Sequence, residues 1–335
     1  MPHESAKLLA QGLSWIQQGQ QVAIATVVKT WGSSPRPTGS LLVISQRGDF
    51  VGSVSGGCIE GAVIAAAQQT MADGRPQLLA FGVTQEMAWQ VGLACGGRVE
   101  VLVERADADE LTNLTTALSC RQPLLLVTEL PSGERWLFHH ADDLRCPEAL
   151  RAQVAAALHG EGALDVELAD GRRFFLWPLL PAVRLFIFGA VHTTQPLCQM
   201  AALCDLDVTV IDPRTAFATE ARFPSVTLIK EWPEEALKHL TLDRRTAVVT
   251  LTHDPKLDDP ALYAALKSDA FYIGALGSGK THASRLRRLG ELGVSAEQLA
   301  RIHGPVGLRI GARSPAEIAV SILGQLIAAL HRESA

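Results

Sequence analysis

Four short apolar runs, residues 184–188, 208–211, 247–251 and 271–273, recur through the second half of the chain with helical stretches between them. Runs this short, with no polar alternation, suit strands buried on both faces. Strand and helix alternating in this way is the pattern of a doubly wound parallel sheet. The last helix is well bounded, because Ser314, Pro315 and Glu317 supply an N-cap, a proline at the first helical position and a capping-box acid before the apolar residues 318–330.

The first half reads differently. Residues 22–28 are rich in β-branched side chains and strand-like, and residues 61–71 are rich in alanine and helical, which predicts a mixed α+β domain. The two prolines of Trp177-Pro178-Leu179-Leu180-Pro181 predict an extended linker between the halves. The expected fold class is therefore α/β, with a mixed domain over residues 1–180, its core motifs within 22–104, and a doubly wound domain over 183–331. A length of 335 residues suits two domains at roughly 150 residues each.

Composition narrows the function classes. The net charge of −5, from 35 acidic and 30 basic residues without a basic stripe, argues against a nucleic-acid partner. Apolar runs such as 185–191 fall well short of the roughly 20 residues of a membrane helix. Residues 1–7 lack the basic and apolar regions of a signal peptide, so a cytoplasmic location is expected. Six cysteines without a CxxC pair fit a reducing compartment.

Three segments of the first half carry more glycine, serine and proline than simple turns require. They are Trp31-Gly32-Ser33-Ser34-Pro35-Arg36-Pro37, Gly52-Ser53-Val54-Ser55-Gly56-Gly57-Cys58-Ile59-Glu60 and Gly92-Leu93-Ala94-Cys95-Gly96-Gly97. A Gly-Gly turn that opens a helix offers unpaired N–H donors and the helix dipole to an anion. That expectation falls on Gly56 and Gly57. Cys58 is placed at a helix start, where a thiol is a better nucleophile and soft-metal ligand, and Cys95 also lies beside a glycine pair. The opposing reading makes each a small apolar residue in a tight turn. Arg36, held between prolines, suits a bidentate contact to phosphate or carboxylate, or else is an ordinary solvated arginine. Glu60 falls in a first helical turn, where the dipole favours a carboxylate whether or not it binds a ligand. Cys198 and Cys204 lie in an apolar helical stretch and are expected in the core, while Cys120 and Cys146 have no supporting context.

Two phosphate-like patterns occur in the second half. Strand 185–188 leads into Gly189-Ala190-Val191-His192-Thr193-Thr194, and Asp212 ends the next strand where a dinucleotide site places its ribose-binding acid. Val191 and Thr194 replace the second and third glycines, which argues against NAD(P). Gly274-Ala275-Leu276-Gly277-Ser278-Gly279-Lys280-Thr281 matches a P-loop literally, with Lys280 and Thr281 in the phosphate and Mg²⁺ roles. No later strand ends in an acidic pair to hold the metal, which argues against ATP or GTP hydrolysis and leaves an anion at the helix start as the weaker use. His253, Asp254, Asp258 and Asp259 follow a strand end, with a metal site or a helix N-cap at Asp258 or Asp259 as the two readings.

With these segments assembled, the chain resembles the XdhC/CoxI family of xanthine dehydrogenase accessory proteins. The three first-half segments carry the likeness, together with Asp212-Pro213-Arg214, Leu251-Thr252-His253-Asp254, Tyr272-Ile273-Gly274-Ala275-Leu276-Gly277-Ser278, Gly307-Leu308-Arg309-Ile310-Gly311-Ala312 and Pro315-Ala316-Glu317-Ile318-Ala319. The resemblance implies a Rossmann-like second domain and a non-enzymatic role. It implies a chaperone that binds the molybdenum cofactor, as molybdopterin or its cytosine dinucleotide, and protects it during sulfuration. Its implied partners are a cysteine desulfurase, an apo molybdenum hydroxylase of the xanthine dehydrogenase type and, in a homodimer or other homo-oligomer, a second copy of the chain. It implies metal ligation at Cys58 and Cys95, with Ser55, Gly56, Gly57, Arg36, Glu60, Gly96, Gly97 and Asp212 around the cofactor. A nucleotide-using enzyme acting through the second domain, as NAD(P) oxidoreductase or P-loop NTPase, is the alternative.

Overall fold

The computed structural model describes residues 2–32, 36–82, 98–140, 143, 145–160 and 162–331. The chain divides into two compact units, Met1–Pro181 and Ala182–Ala335.

In the first unit, helix α1 (Pro2–Gln17) precedes β1 (Val22–Trp31), β2 (Leu41–Ser45), β3 (Phe50–Gly52), α2 (Glu60–Asp73), β4 (Gln77–Gly82) and β5 (Arg98–Arg105). Then come α3 (Ala108–Ser119), β6 (Leu124–Leu130), β7 (Arg135–Phe138), α4 (Arg151–His159), β8 (Leu164–Glu167) and β9 (Arg173–Leu179). The strands form two antiparallel sheets, in the orders β3-β2-β1-β5-β4 and β7-β6-β9-β8. Strand β1 is buried on both faces along its first seven residues, because helices cover the sheet on either side. Ala23, Ala25 and Val27 pack with Val63, Ala67 and Met71 of α2. Val22, Ile24 and Val28 pack with Leu9 and Trp15 of α1, with Leu111 and Leu114 of α3, and with Leu126, Phe175 and Trp177 of the second sheet. Helix α2 ends where Gly74, at φ 74°, takes the left-handed conformation and its N–H donates to the Thr70 carbonyl.

Residues 177–179, expected to be linker, are the end of β9 and pair with Leu124, Leu125 and Leu126 of β6. Proline is accepted there because β8 pairs with β9 only up to Leu176, so the strand has an open side beyond that residue.

The second unit holds β10 (Arg184–Phe188), α5 (Thr194–Leu203), β11 (Asp207–Ile211), β12 (Thr227–Ile229), α6 (Pro233–Ala236) and β13 (Thr246–Thr250). It continues through α7 (Pro255–Leu266), β14 (Tyr272–Ala275), α8 (Gly279–Glu291), α9 (Ala296–Leu299), β15 (Ile302–His303) and α10 (Pro315–Leu330). All six strands are parallel, in the order β12-β11-β10-β13-β14-β15. Counted within the unit this is 3-2-1-4-5-6, the Rossmann order. Leu185, Ile187, Ala247 and Val249 face α5 and α10, while Phe186, Phe188, Val248 and Ile273 face α7 and α8. The capping box at Ser314 and Glu317 forms with both of its hydrogen bonds. The edge strands β12 and β15 have three and two residues, and no periodicity announces segments that short.

One buried ionic cluster ties the helical and strand layers of the first unit together. Arg135 on β7 donates through Nε (3.1 Å) and Nη2 to the carboxylate of Glu104 on β5, and through Nη1 to Glu110 in the first turn of α3. Burial pushes the Glu104 carboxyl up against the pull of Arg135, so the cluster depends on that guanidinium. Arg135→Ala leaves two carboxylates without their cation and is expected to cost about 3–5 kcal/mol at neutral pH. A buried carboxyl with a raised pKa favours the fold when protonated, so the deficit narrows as pH falls through that raised value. Urea unfolding of wild type and variant across pH checks both the size and the sign.

Candidate functional site

Strands β1 and β3 both run antiparallel to β2, and β1 and β4 both run antiparallel to β5. The ends of β1, β3 and β4 and the start of β5 therefore lie at one end of the five-stranded sheet. The first two glycine-rich segments leave the sheet from that end, and β4 and β5, which flank the third in sequence, reach it. Trp31 and Gly82 both pair with Arg98, which fixes the anchors of the segment carrying Cys95. Cys95, Gly96 and Gly97 themselves lie outside the described residues.

Residues 53–59 fold around the side chain of Glu60. Its Oε1 accepts from the N–H groups of Val54 (3.3 Å), Ser55 (2.9 Å) and Gly56 (3.1 Å) and from the Ser53 hydroxyl (2.8 Å). Its Oε2 accepts from the Gly57 N–H (2.9 Å) and the Ser55 hydroxyl (2.5 Å). The Ser55 Oγ in turn accepts from the N–H groups of Cys58 and Ile59, both at 3.1 Å. Every backbone donor from Val54 to Ile59 thus has an acceptor inside the loop. Gly56 and Gly57 have φ of 84° and 120°, and at Gly57 an added Cβ meets nothing within 4 Å. At Gly57 the left-handed backbone, rather than space, calls for glycine.

This arrangement corrects one expectation. The N–H groups of Ser55, Gly56 and Gly57 face the protein's own carboxylate instead of an external anion, and Glu60 is the centre of the loop. Burial alone would raise its carboxyl. The hydroxyls of Ser55 and Ser53 and the Ser55 N–H overcome that and hold it at about 2. Arg36 has a comparable framework role: its Nε donates to the Ser53 carbonyl (3.2 Å) and its Nη2 to Glu4 of α1 (2.8 Å). Cys58, next to the helix N-cap Ile59, is half-buried and packs against the cluster that contains Val99, alongside Phe81. Ser53 belongs to the site although the sequence does not single it out. The signal available for it is a pair of serines two apart, upstream of a Gly-Gly turn and an acid.

The other described cysteines stand apart. Cys198 is buried and its thiol is pushed up to about 12, and burial also raises Cys146. Cys120 and Cys204 are exposed at the C-terminal ends of α3 and α5. Cys204, expected in the core, lies one residue past the helix, where the apolar face has ended. Among the described residues no group of three or more His, Cys, Asp or Glu is placed to hold a metal.

In the second unit Asp212 is fully buried and faces inward. It accepts the Ala190 N–H (2.7 Å), the Arg214 N–H (2.9 Å) and the Arg214 guanidinium (2.9 and 2.6 Å). Burial alone would raise Asp212, but Arg214 and the Ala190 N–H hold it below the usual carboxylate range. A Cβ on Gly189 would lie 2.5 Å from the Thr252 methyl, so that turn is closed against its neighbour.

The Gly274–Thr281 octapeptide spans two elements: its first two residues end β14 and its last three begin α8, with Ser278 as the N-cap accepting the Thr281 N–H. Three residues of loop remain between strand and helix. The cap expected at Asp258 or Asp259 is instead Asp254, which accepts the Lys256 N–H at 3.0 Å. Asp258 is buried against the Thr252 hydroxyl (2.7 Å) and Arg285 (3.4 Å), and Asp259 pairs with Arg288 (2.6 Å). An open cleft of about 550 Å³ lies at the far end of the five-stranded sheet, lined by Glu104, Glu110, Arg135 and the start of β1. It contains none of the residues singled out from the sequence.

Holding the Glu60 carboxyl at about 2, below its ordinary 4.5, stabilises the folded loop at neutral pH. A depressed carboxyl contributes above its unfolded pKa and loses that contribution as pH falls through its folded value. Glu60→Gln is therefore expected to lower the urea midpoint at pH above about 4.5, with the gap closing towards pH 2. A gap that stays constant over this range would contradict the assignment of the ionised form.

Two family models match parts of the chain. Residues 185–326 match the model of the XdhC Rossmann domain, and residues 15–82 match that of the XdhC and CoxI family. The molybdenum cofactor insertion chaperone PaoD of Escherichia coli is 30% identical over 95% of this chain and 86% of its own length. A Bacillus subtilis protein described as a probable xanthine dehydrogenase subunit is 27% identical over 93% of this chain and 94% of its own. The crystal structure of a xanthine dehydrogenase from Bacillus halodurans superposes with a TM-score of 0.78 at 25% identity, covering 97% of this chain and 96% of that one. With its Rossmann-ordered second unit and the Gly-Gly-Cys loop of its first, the chain belongs to the XdhC and CoxI family.

Proposed function

We propose that the protein is a molybdenum-cofactor chaperone. It binds the cofactor as cargo, shields it while the terminal sulfido ligand is installed, and hands it to an apo molybdenum hydroxylase of the xanthine dehydrogenase type. The observation that carries this reading is the Glu60-centred loop, which holds a half-buried thiol, Cys58, on a fixed framework at the sheet end where the Cys95-bearing segment is anchored. A thiol is a soft donor suited to a molybdenum–dithiolene centre, and a donor held in place loses little freedom when the cargo arrives. The names of the E. coli and B. subtilis relatives point the same way.

On this reading Cys58 and Cys95 are the ligands, and Ser55, Gly56, Gly57, Glu60 and Arg36 form the support beneath Cys58. Gly96 and Gly97 serve the second loop, and Asp212 braces the second unit. The cysteine desulfurase that supplies sulfur is a transient partner, and a homodimer in the cytoplasm is the working form. Protein purified from a molybdate-fed host is expected to carry molybdenum and oxidisable pterin in equal amounts, measured by elemental analysis and fluorescence. Cys58→Ala and Cys95→Ala are each expected to weaken retention by about tenfold or more. Both variants holding cofactor as wild type does would overturn the thiol assignment, and wild type holding none would overturn the chaperone reading.

A further inference from the structure

Unlike the loop around Glu60, the turn from β14 into α8 keeps its donors open. The N–H groups of Gly277, Ser278, Gly279 and Lys280 meet no acceptor among the described residues, while those of Thr281 and His282 are taken by the Ser278 side chain and carbonyl. Ser278, Gly279 and Lys280 are exposed, and Lys280 has no acidic partner among the described residues. A helix start of this kind attracts an anion only weakly by itself.

Beneath the turn lies a buried charge. Arg285 of α8 is 1% exposed, and its Nε and Nη1 have no hydrogen-bond partner among the described residues. Its Nη2 donates to the Leu276 carbonyl (2.8 Å) and lies 3.8 Å from where a Cβ on Gly277 would stand, so the guanidinium is seated against the inner side of the open turn. The carboxylate that faces it is a weak partner: the Asp258 contact is 3.4 Å long, and burial pushes the Asp258 carboxyl up against the pull of Arg285. Thr250, whose carbonyl accepts the Leu276 N–H (2.9 Å), also has a buried hydroxyl without a partner among the described residues. A buried guanidinium short of acceptors is costly, and an anion seated on the turn is drawn to it through protein, where screening is weaker than in water.

We propose that the turn from β14 into α8 is a binding site for a phosphate monoester, in which the N–H groups of Gly277 to Lys280 hold the phosphate oxygens, Arg285 supplies positive charge from beneath and Lys280 supplies it from the solvent side. A phosphate presents three acceptor oxygens to such a run of N–H groups, where a carboxylate presents two. The exposed side of the turn leaves space for the ester group. The site is not a nucleotide-hydrolysing P-loop. The Thr281 hydroxyl is bound to the Ser278 hydroxyl (3.0 Å) within the cap, and a loop of three residues cradles one phosphate instead of a chain of them. Nothing in this assignment depends on the role of Cys58.

The test is calorimetric titration of the full chain, purified in phosphate-free buffer, with glycerol 3-phosphate and separately with inorganic phosphate. Wild type is expected to bind glycerol 3-phosphate one to one with a Kd of about 1 mM or tighter, and at least as tightly as inorganic phosphate. An added side chain at Gly279 meets nothing within 4 Å, and an acid is favoured in a first helical turn, so Gly279→Glu keeps the fold while its carboxylate competes for the same N–H groups. That variant is expected to bind about tenfold more weakly, and Lys280→Ala about threefold more weakly. Arg285→Met, which removes the charge beneath the turn, is expected to weaken binding by about tenfold.

No saturable binding of glycerol 3-phosphate by wild type up to about 10 mM overturns the proposal, as does a wild-type Kd in Gly279→Glu, in Lys280→Ala or in a folded Arg285→Met. Inorganic phosphate binding where the ester does not overturns the monoester assignment in favour of free phosphate. Should Arg285→Met fail to fold, the two exposed-site variants decide. Absence of molybdopterin from purified wild type would sink the chaperone reading and leave these outcomes unchanged.

Discussion

The first unit's candidate site depends on one ionised side chain with six donors around it. Glu60 starts α2, so its backbone is fixed by the helix while its carboxylate reaches back over the residues that lead into it. An ion withdrawn from water is tolerated only when hydrogen bonds replace its hydration, and the loop supplies them from consecutive residues. Several features follow from that requirement. Gly56 and Gly57 must turn left-handed so that their N–H groups point inward, and the two serines must sit two apart so that both hydroxyls reach the same carboxylate. Cys58 then comes to rest where the chain leaves the nest and enters the helix.

The second unit uses the same device at the carboxyl edge of its parallel sheet. Asp212 at the end of β11 takes the Ala190 N–H from the turn after β10, and Arg214 neutralises it. Asp258, one helical turn past the Asp254 cap, binds the Thr252 hydroxyl after β13 and faces Arg285 of α8, whose guanidinium also holds the Leu276 carbonyl after β14. Carboxylates of the chain thus brace the crossings at which a Rossmann sheet ordinarily offers donors to a ligand.

Much of the fold is legible in the sequence because burial leaves a strong pattern. A parallel strand covered on both faces reads as an uninterrupted apolar run, and four of the six strands in the second unit do so within one or two residues. The edge strands carry too few residues for a period and leave no such trace. The prolines of residues 177–179 suggest a linker, yet a proline beside the open side of β9 removes no ladder bond. The apolar neighbours of Cys204 suggest a core position, although a residue just past the last turn no longer shares the face of the helix. The octapeptide at Gly274 matches a motif whose meaning lies in where the strand stops, and the strand stops two residues too late.

The site is less legible than the fold, for a physical reason. Sequence places donors and acceptors near one another but does not say which face outward. Glycines, serines and an acid in one short segment are equally compatible with a nest that waits for an anion and a nest that contains one. The structure has the second arrangement, with four backbone N–H groups and two hydroxyls directed at Glu60. Donors directed inward in this way contribute framework, and under the proposed function Cys58 is the ligand that this framework supports. A thiol in that role gains little from phosphate and much from a thiophilic metal. A framework that is already hydrogen-bonded before the ligand arrives has little ordering left to do, which lowers the cost of binding at that one atom.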